Sequence, residues 1–193
     1  MSAMKRPAAD GKRVLLGVTA SIAAYKACDL ITELREEGFA VTVAMTKDAH
    51  HFVTPLALQS FAGSEVIEDF FSLPGRTKPV HIELAKHSDL ILIAPASADI
   101  LAKLAHGFAD DVISCTVLAS EAPLVVVPAM NEKMYQNPVT QENLRRLEKL
   151  YHADVVEPVH GHLVCSDFGK GHIAENAEIL KAVRRALGRK HRA

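Results

Sequence analysis

Three short apolar runs limit the architectures open to this chain more than any other feature. Val14-Leu15-Leu16-Gly17-Val18, Leu90-Ile91-Leu92-Ile93-Ala94 and Leu124-Val125-Val126-Val127 are continuous rather than alternating. A strand with one face in water alternates polar and apolar residues, so continuity implies strands buried on both faces, the condition of a parallel sheet covered by helices. Phe39 to Met45 reads as a further strand, and Val66-Ile67 as a short β-like segment.

Between these runs the period changes to that of a helix. Ala23, Ala27, Leu30, Ile31 and Leu34 share one helical face, and Gly38 supplies a stop. Pro55 to Phe61, Ala98 to His106 and Val112 to Ala119 read as helices, as do the stretches through Thr140, Leu144, Leu147 and Tyr151 and through Ile179, Leu180, Val183 and Leu187. Phe70 to Pro79, with two prolines and a glycine, reads as a loop within one domain, because periodic segments resume directly after it. The order predicts an α/β fold: a doubly wound, mostly parallel sheet with helices on both faces, three layers in the Rossmann or flavodoxin manner. Residues 1–12 are expected to be a flexible N-terminus and 13–189 one domain.

Composition narrows the function. Of 193 residues 23% are charged and the formal net charge is -1, so the basic footprint of a nucleic-acid binder is missing. The basic end from Arg184 to Arg192 reads as a solvated terminal helix. Three cysteines, Cys28, Cys115 and Cys165, are odd in number and widely spaced, which points to a reducing compartment and a cytoplasmic location. No apolar stretch is long enough to span a bilayer, and Met1 to Gly11 do not resemble a secretory signal.

In such folds ligands occupy the crevice beyond the carboxyl ends of the strands. The residues there are Thr19 to Ser21, Thr46, Pro95 to Asp99 and Pro128 to Asn131. Thr19 and Ser21 place hydroxyls ahead of a helix N-terminus, which favours an anion such as phosphate, although each could be an ordinary N-cap. Gly-x-Gly-x-x-Gly is absent, and the second strand ends at Thr46 rather than at a ribose-binding carboxylate. Pro95-Ala96-Ser97-Ala98-Asp99 repeats the device with small residues that let a flat ligand approach the backbone. Two such turns suit a mononucleotide.

Several segments together resemble the flavin-containing cysteine decarboxylase family. They are Gly17 to Ala23, His81-Ile82-Glu83-Leu84-Ala85, Ala94 to Asp99 with Ala102 to Gly107, Pro128-Ala129-Met130-Asn131-Glu132-Lys133-Met134, and Cys165 to Gly171, in family order over nearly the whole chain. Pro-Ala-Met-Asn followed by Met134 is the most specific of them. The resemblance implies FMN in a cradle of Thr19, Ala20, Ser21, Ile22, Thr46, Ser97, Ala98, Asp99, Ala129 and Met130. It also implies a homotrimer, or a larger assembly of trimers, in which one subunit completes its neighbour's crevice.

In the coenzyme A branch of that family the catalytic set corresponds to His81, Asn131 and Cys165, with Met134 and Gly169 beside Asn131 at the substrate. The expected reaction is FMN-dependent decarboxylation of the small molecule phosphopantothenoylcysteine. Flavin chemistry at the cysteine thiol creates the electron sink that carbon dioxide loss needs. Asn131 would bind the carboxylate, His81 would orient substrate or move a proton, and Cys165 would protonate the product within a glycine-rich flap.

Asp99 where the family usually has asparagine, Ser166 and Ala20 for glycines, and Tyr135 for tryptophan are departures; an ionised Asp99 near phosphate needs a partner. Alternatives are a peptidyl-cysteine decarboxylase, a flavin prenyltransferase or a non-catalytic flavoprotein partner. A zinc site of His160, His162, Cys165 and His172 is a further alternative whose spacing fits no standard motif. Metal is not expected. Because the chain ends soon after its last helix, a stand-alone decarboxylase is expected.

Overall fold

Five parallel strands build the central sheet in the order β2-β1-β3-β4-β5, seen in a computed structural model that describes residues 11–70, 79–162 and 168–189. β1 (Arg13–Val18) lies inside it, with Val14 paired to Val41 of β2 (Ala40–Met45) on one side and to Leu90 of β3 (Leu90–Ala96) on the other. β4 (Leu124–Pro128) and the two-residue β5 (Asp154–Val155) complete the row. Every residue of β3 and β4 is buried, as continuous apolar runs require. Ile67 makes an isolated parallel bridge to Ala44 beyond β2, where the Val66-Ile67 segment was expected.

Alternation along the strands sends side chains to two helical layers. Leu16, Val43, Leu92 and Val125 face α1 (Ala27–Glu36), α2 (Pro55–Ala62) and α8 (Asn176–Gly188). Leu15, Ile91, Ile93 and Val126 face α3 (Val80–His87), α4 (Ala98–His106), α5 (Val112–Leu118) and α7 (Pro138–Tyr151). The doubly wound α/β fold expected from the sequence is therefore present, in the flavodoxin-like strand order.

Three local features depart from the sequence reading. The stretch expected as one helix from Ala23 starts instead as a 3-10 turn, Ile22–Lys26, tightened by an Ala24 N–H to Ser21 carbonyl bond of 2.9 Å, before α1 begins. Helix α3 was not anticipated; it buries only Val80 and Leu84, too little to set a visible period. The glycine-rich region contains an antiparallel pair, β6 (Val159–His162) and β7 (Phe168–His172), separate from the main sheet.

The described arginines of the basic end remain more than half exposed, yet they are paired. Arg185 and Arg189 both donate to Asp154 Oδ1, at 2.9 and 2.8 Å, and Arg184 pairs with Glu37, so α8 is tied to the sheet edge and to α1.

Several helix starts are secured by side chains. Thr54 caps α2, with Pro55 at its first position, and Asp111 forms a reciprocal capping box with Ser114 at α5. Asp111 Oδ1 accepts the Ser114 N–H at 2.9 Å while Oδ2 lies 3.4 Å from Lys103 Nζ. Replacing Asp111 by Ala should lower unfolding free energy by about 1–2 kcal/mol. Asp111→Asn should recover most of that loss by keeping the cap; denaturant titration of both variants checks the order.

Candidate functional site

The carboxyl ends of β1 and β3 meet where the strand order reverses, and a single hydroxyl joins them. Thr19 is 1% exposed; its Oγ1 donates to the Pro95 carbonyl at 2.7 Å and accepts the Ser97 N–H at 2.9 Å. Backbone at a strand end has lost its ladder partners, and burial without replacements is costly. Thr19 supplies both replacements at once.

Ser21 extends the stitching to the next turn. Its Oγ accepts the Ala23 N–H at 3.3 Å and donates to the Ala129 carbonyl at 2.9 Å, while the Ala129 N–H reaches Ala96 at 3.1 Å. The turns after β1, β3 and β4 are thereby fixed relative to one another. Ser97, capping α4 through the Ile100 N–H at 3.3 Å, sets the second turn.

The third turn leads into α6 (Glu132–Gln136), whose N-cap is Asn131. Asn131 Oδ1 accepts the Lys133 N–H at 2.9 Å, which fixes the orientation of the carboxamide. β7 lies directly on this turn: the Met130 N–H donates to the Gly171 carbonyl at 3.1 Å. A Cβ at Gly171 would stand 2.2 Å from the Met130 carbonyl oxygen, so only glycine permits this approach.

These elements enclose a cavity of about 460 Å³. Ala20, Ser21 and Ile22 line it from the first turn, Ser97 and Ala98 from the second, and Ala129, Met130, Asn131 and Met134 from the third. Its wall is mostly apolar, and Ile22, Tyr25, Phe52 and Met134, each between 44% and 57% exposed, stand at it. Among the described lining residues the ionisable groups are Tyr25, Lys26 and His172, none of them a carboxylate. A flat, largely apolar ligand carrying an anionic group matches such a surface.

Other sequence-derived candidates stand apart from the cavity surface. Thr19 is behind the wall as a strut. Thr46, just after β2, has its Oγ1 buried with no hydrogen-bond partner among the described residues. Asp99 is largely exposed and 3.4 Å from Lys103, which also lies 3.1 Å from Asp110 and 3.4 Å from Asp111. Burial works against the Lys103 charge, but the carboxylates outweigh it and hold its pKa well above the usual lysine range. The partner that Asp99 needs is one helical turn away.

Gly169 lies against Glu132, where a Cβ would meet Oε2 at 2.7 Å. His81, in the first turn of α3, is half-buried against the edge of Phe70 with ring centroids 5.5 Å apart. Its Nδ1 is buried without a hydrogen-bond partner among the described residues, and it does not line the cavity of its own chain. Cys165 lies outside the described residues, as does Ser166.

The sequence reading missed Tyr25, Lys26, Phe52, Gly171, His172 and Ile173 as lining residues. Gly171 could have been found, since it belongs to the motif that carries Cys165. His172, considered above for zinc, places Nδ1 3.0 Å from the Ile173 carbonyl and contributes to the cavity wall.

The chain is similar in sequence and in fold to known proteins. Residues 3–188 match the family model described as Flavoprotein. The coenzyme A biosynthesis bifunctional protein CoaBC of Vibrio vulnificus is 42% identical over 170 residues, which cover 88% of this chain and 42% of that protein. The chain thus spans less than half the length of these bifunctional relatives. The probable phosphopantothenoylcysteine decarboxylase of Streptococcus mutans is 42% identical over 178 residues, 91% of this chain and 99% of that one.

Among solved structures, a cysteine-to-serine mutant of a PPC decarboxylase complexed with pantothenoylaminoethenethiol superposes with a TM-score of 0.82 at 32% identity. The match covers 91% of this chain and 97% of that one. The FMN-dependent cysteine decarboxylase SpaF gives 0.79 at 31% identity with the same coverage of both chains.

The stitching hydroxyl offers a direct test of the cavity's construction. Thr19→Val keeps the shape but strands the Pro95 carbonyl and the Ser97 N–H, and should destabilise the protein by about 2–3 kcal/mol. Thr19→Ser, which keeps the hydroxyl, should lose less than half of that in the same denaturant titration.

Proposed function

This chain belongs to the Flavoprotein family, and from that premise we propose that it binds FMN and decarboxylates phosphopantothenoylcysteine to phosphopantetheine in coenzyme A biosynthesis. The observation that carries the reading is the Pro128 to Asn131 turn, held against the cavity by Ser21 on one side and Gly171 on the other. Relatives named for this reaction or this pathway at 42% identity support it.

The residues present fit the cofactor. Small side chains at Ala20, Ala98 and Ala129 leave room for a flat ring system, and Ser21 and Ser97 would help to hold it. Thr46 has a buried hydroxyl without a partner among the described residues. Thr19 and Asp99 belong to the cradle as supports, Thr19 through its double bond to the β3 end and Asp99 through Lys103. Bound FMN would supply the two-electron redox chemistry that makes the cysteinyl carbon able to release carbon dioxide.

The chain's own groups then have separate tasks. With Oδ1 committed to capping α6, the amide end of Asn131 is the donor end, the polarity a substrate carboxylate requires. It binds that carboxylate without a full positive charge, which would favour keeping it. Met134 stands in the wall with Asn131, while Gly169 on β7 lies against the neighbouring Glu132. Lys26 and His172 suit the anionic character of the phosphorylated substrate and cofactor. Cys165 is the proposed proton donor that completes the product.

His81 is the proposed proton-handling residue; its place away from its own cavity supports a site shared between subunits, and the homotrimer or assembly of trimers is what the family resemblance implies. The half-exposed apolar side chains at the cavity are the kind of surface such a neighbour covers. Among the described residues no helix is long and apolar enough to cross a membrane. Cys28 and Cys115 are free thiols, and a cytoplasmic location agrees with them.

The assay is carbon dioxide release from phosphopantothenoylcysteine by the FMN-loaded protein. Asn131→Asp places a carboxylate opposite the substrate's own and should lower the rate by about 100-fold or more, with FMN still bound. Loaded wild-type protein that releases no carbon dioxide would sink the reading. Co-expressing His81→Asn with Asn131→Asp should give mixed assemblies with measurable activity that neither variant has alone, because each would hold some sites with both native residues. Absence of any rescue would count against a shared site.

A further inference from the structure

The Asn131 turn depends on two elements that are each too small to hold themselves in place. Helix α6 has five residues, too few for an isolated helix to persist in water. Among the described residues β6 and β7 form a two-stranded sheet that pairs with no third strand, a unit marginal on its own. Their seating must therefore come from contacts with each other and with neighbouring segments.

Three side chains from separate segments meet at one carboxylate oxygen. Tyr135 of α6 is 4% exposed, and its hydroxyl donates to Glu157 Oε2 at 2.8 Å. Lys170 of β7 places Nζ 2.6 Å from the same oxygen and 5.5 Å from the centre of the Tyr135 ring, within cation-π range. Glu157 lies between β5 and β6, at the root of the hairpin. An isolated Lys–Glu pair this exposed, at 35% and 62%, contributes little. The buried phenol distinguishes this pair from an ordinary surface one.

Burial, then Glu157, pushes the Tyr135 pKa far up, so the phenol remains a donor. For Glu157, burial acts upward, but Lys170 and Tyr135 prevail and hold its carboxyl below the usual range.

A second set of contacts shows what the trio holds in register. The Lys170 N–H donates to Glu132 Oε1 at 2.9 Å, and the Gly171 carbonyl accepts from Met130 at 3.1 Å. Both bonds join β7 to residues flanking Asn131. On the other side, Gln141 Nε2 donates to the Tyr135 carbonyl at 2.6 Å, tying α6 to α7.

We propose that Tyr135, Glu157 and Lys170 form a latch that seats β7 on α6 and thereby sets the position of Asn131 in the cavity. All three are positioning residues. The latch itself stands on the geometry above, whereas its effect on catalysis rests on the decarboxylase reading.

Lys170→Met and Glu157→Gln break the latch, and Lys170→Arg preserves its charge. In the FMN-loaded protein, amide hydrogen exchange at Lys170 and Met130 should accelerate about tenfold in the first two variants and stay near wild type in the third. With phosphopantothenoylcysteine, KM should rise by about the same factor with a smaller change in kcat, while FMN affinity measured by flavin fluorescence stays within about twofold. Unchanged exchange at both amides in Lys170→Met and Glu157→Gln overturns the latch, as does a Lys170→Arg variant that behaves like Lys170→Met. Exchange is read without turnover, so a wild-type protein without decarboxylase activity would defeat the functional reading while the exchange result still decides the latch.

Discussion

One hydroxyl, that of Thr19, holds together the place where the sheet opens. A doubly wound sheet must part its crossovers to opposite faces at the strand order reversal, here between β1 and β3, and the parting leaves backbone groups at both strand ends without ladder partners. Thr19 satisfies the Pro95 carbonyl and the Ser97 N–H together, Ser21 carries the connection on to Ala129, and Ala129 returns it to Ala96. The cavity is the space that this closed set of bonds keeps open. Its wall residues at these turns can be small and apolar because Thr19 and Ser21 satisfy the strand-end backbone behind them.

The same logic extends outward with decreasing rigidity. Near the sheet the three turns are bonded to one another. Farther out, α6 and the β6–β7 pair rely on one backbone bond, Met130 to Gly171, and on side chains: Glu132 with the Lys170 N–H, and Tyr135 with Glu157 and Lys170. On the proposed reading, cofactor contacts would fall on the turns bonded to one another, and the substrate side on α6 and the β6–β7 pair. His81 falls outside this scheme, with a buried Nδ1 that finds no partner among the described residues, which is why the functional reading assigns it to a neighbour's site.

Legibility in the sequence followed how local each determinant is. Val14 to Val18, Leu90 to Ala94 and Leu124 to Val127 announced buried parallel strands because burial on both faces leaves no polar position in the run. Asp99 and Lys103 are four residues apart on one helix, so their pairing follows from helical geometry. Helix α3 was missed because two buried residues among eight make no period, and β7 because Gly169, Lys170 and Gly171 show no alternation and owe their place to Glu132 and Met130. Thr19 and Ser97 share one motif type, yet one is an internal strut and the other a wall residue. Which side of a turn faces the ligand depends on the neighbouring strand, information that spacing along one chain segment does not contain. His172 drew notice as a metal candidate because its ring chemistry is visible in sequence, whereas its position beside Asn131 arises from the seating of β7.

The central claim is that the cavity at the strand ends is a flavin mononucleotide cradle, and the visible absorption spectrum of the purified protein tests it most directly. The account predicts a yellow protein with flavin bands, the flavin released on denaturation being FMN at about one per chain. A colourless protein that takes up no FMN when the cofactor is added would contradict it.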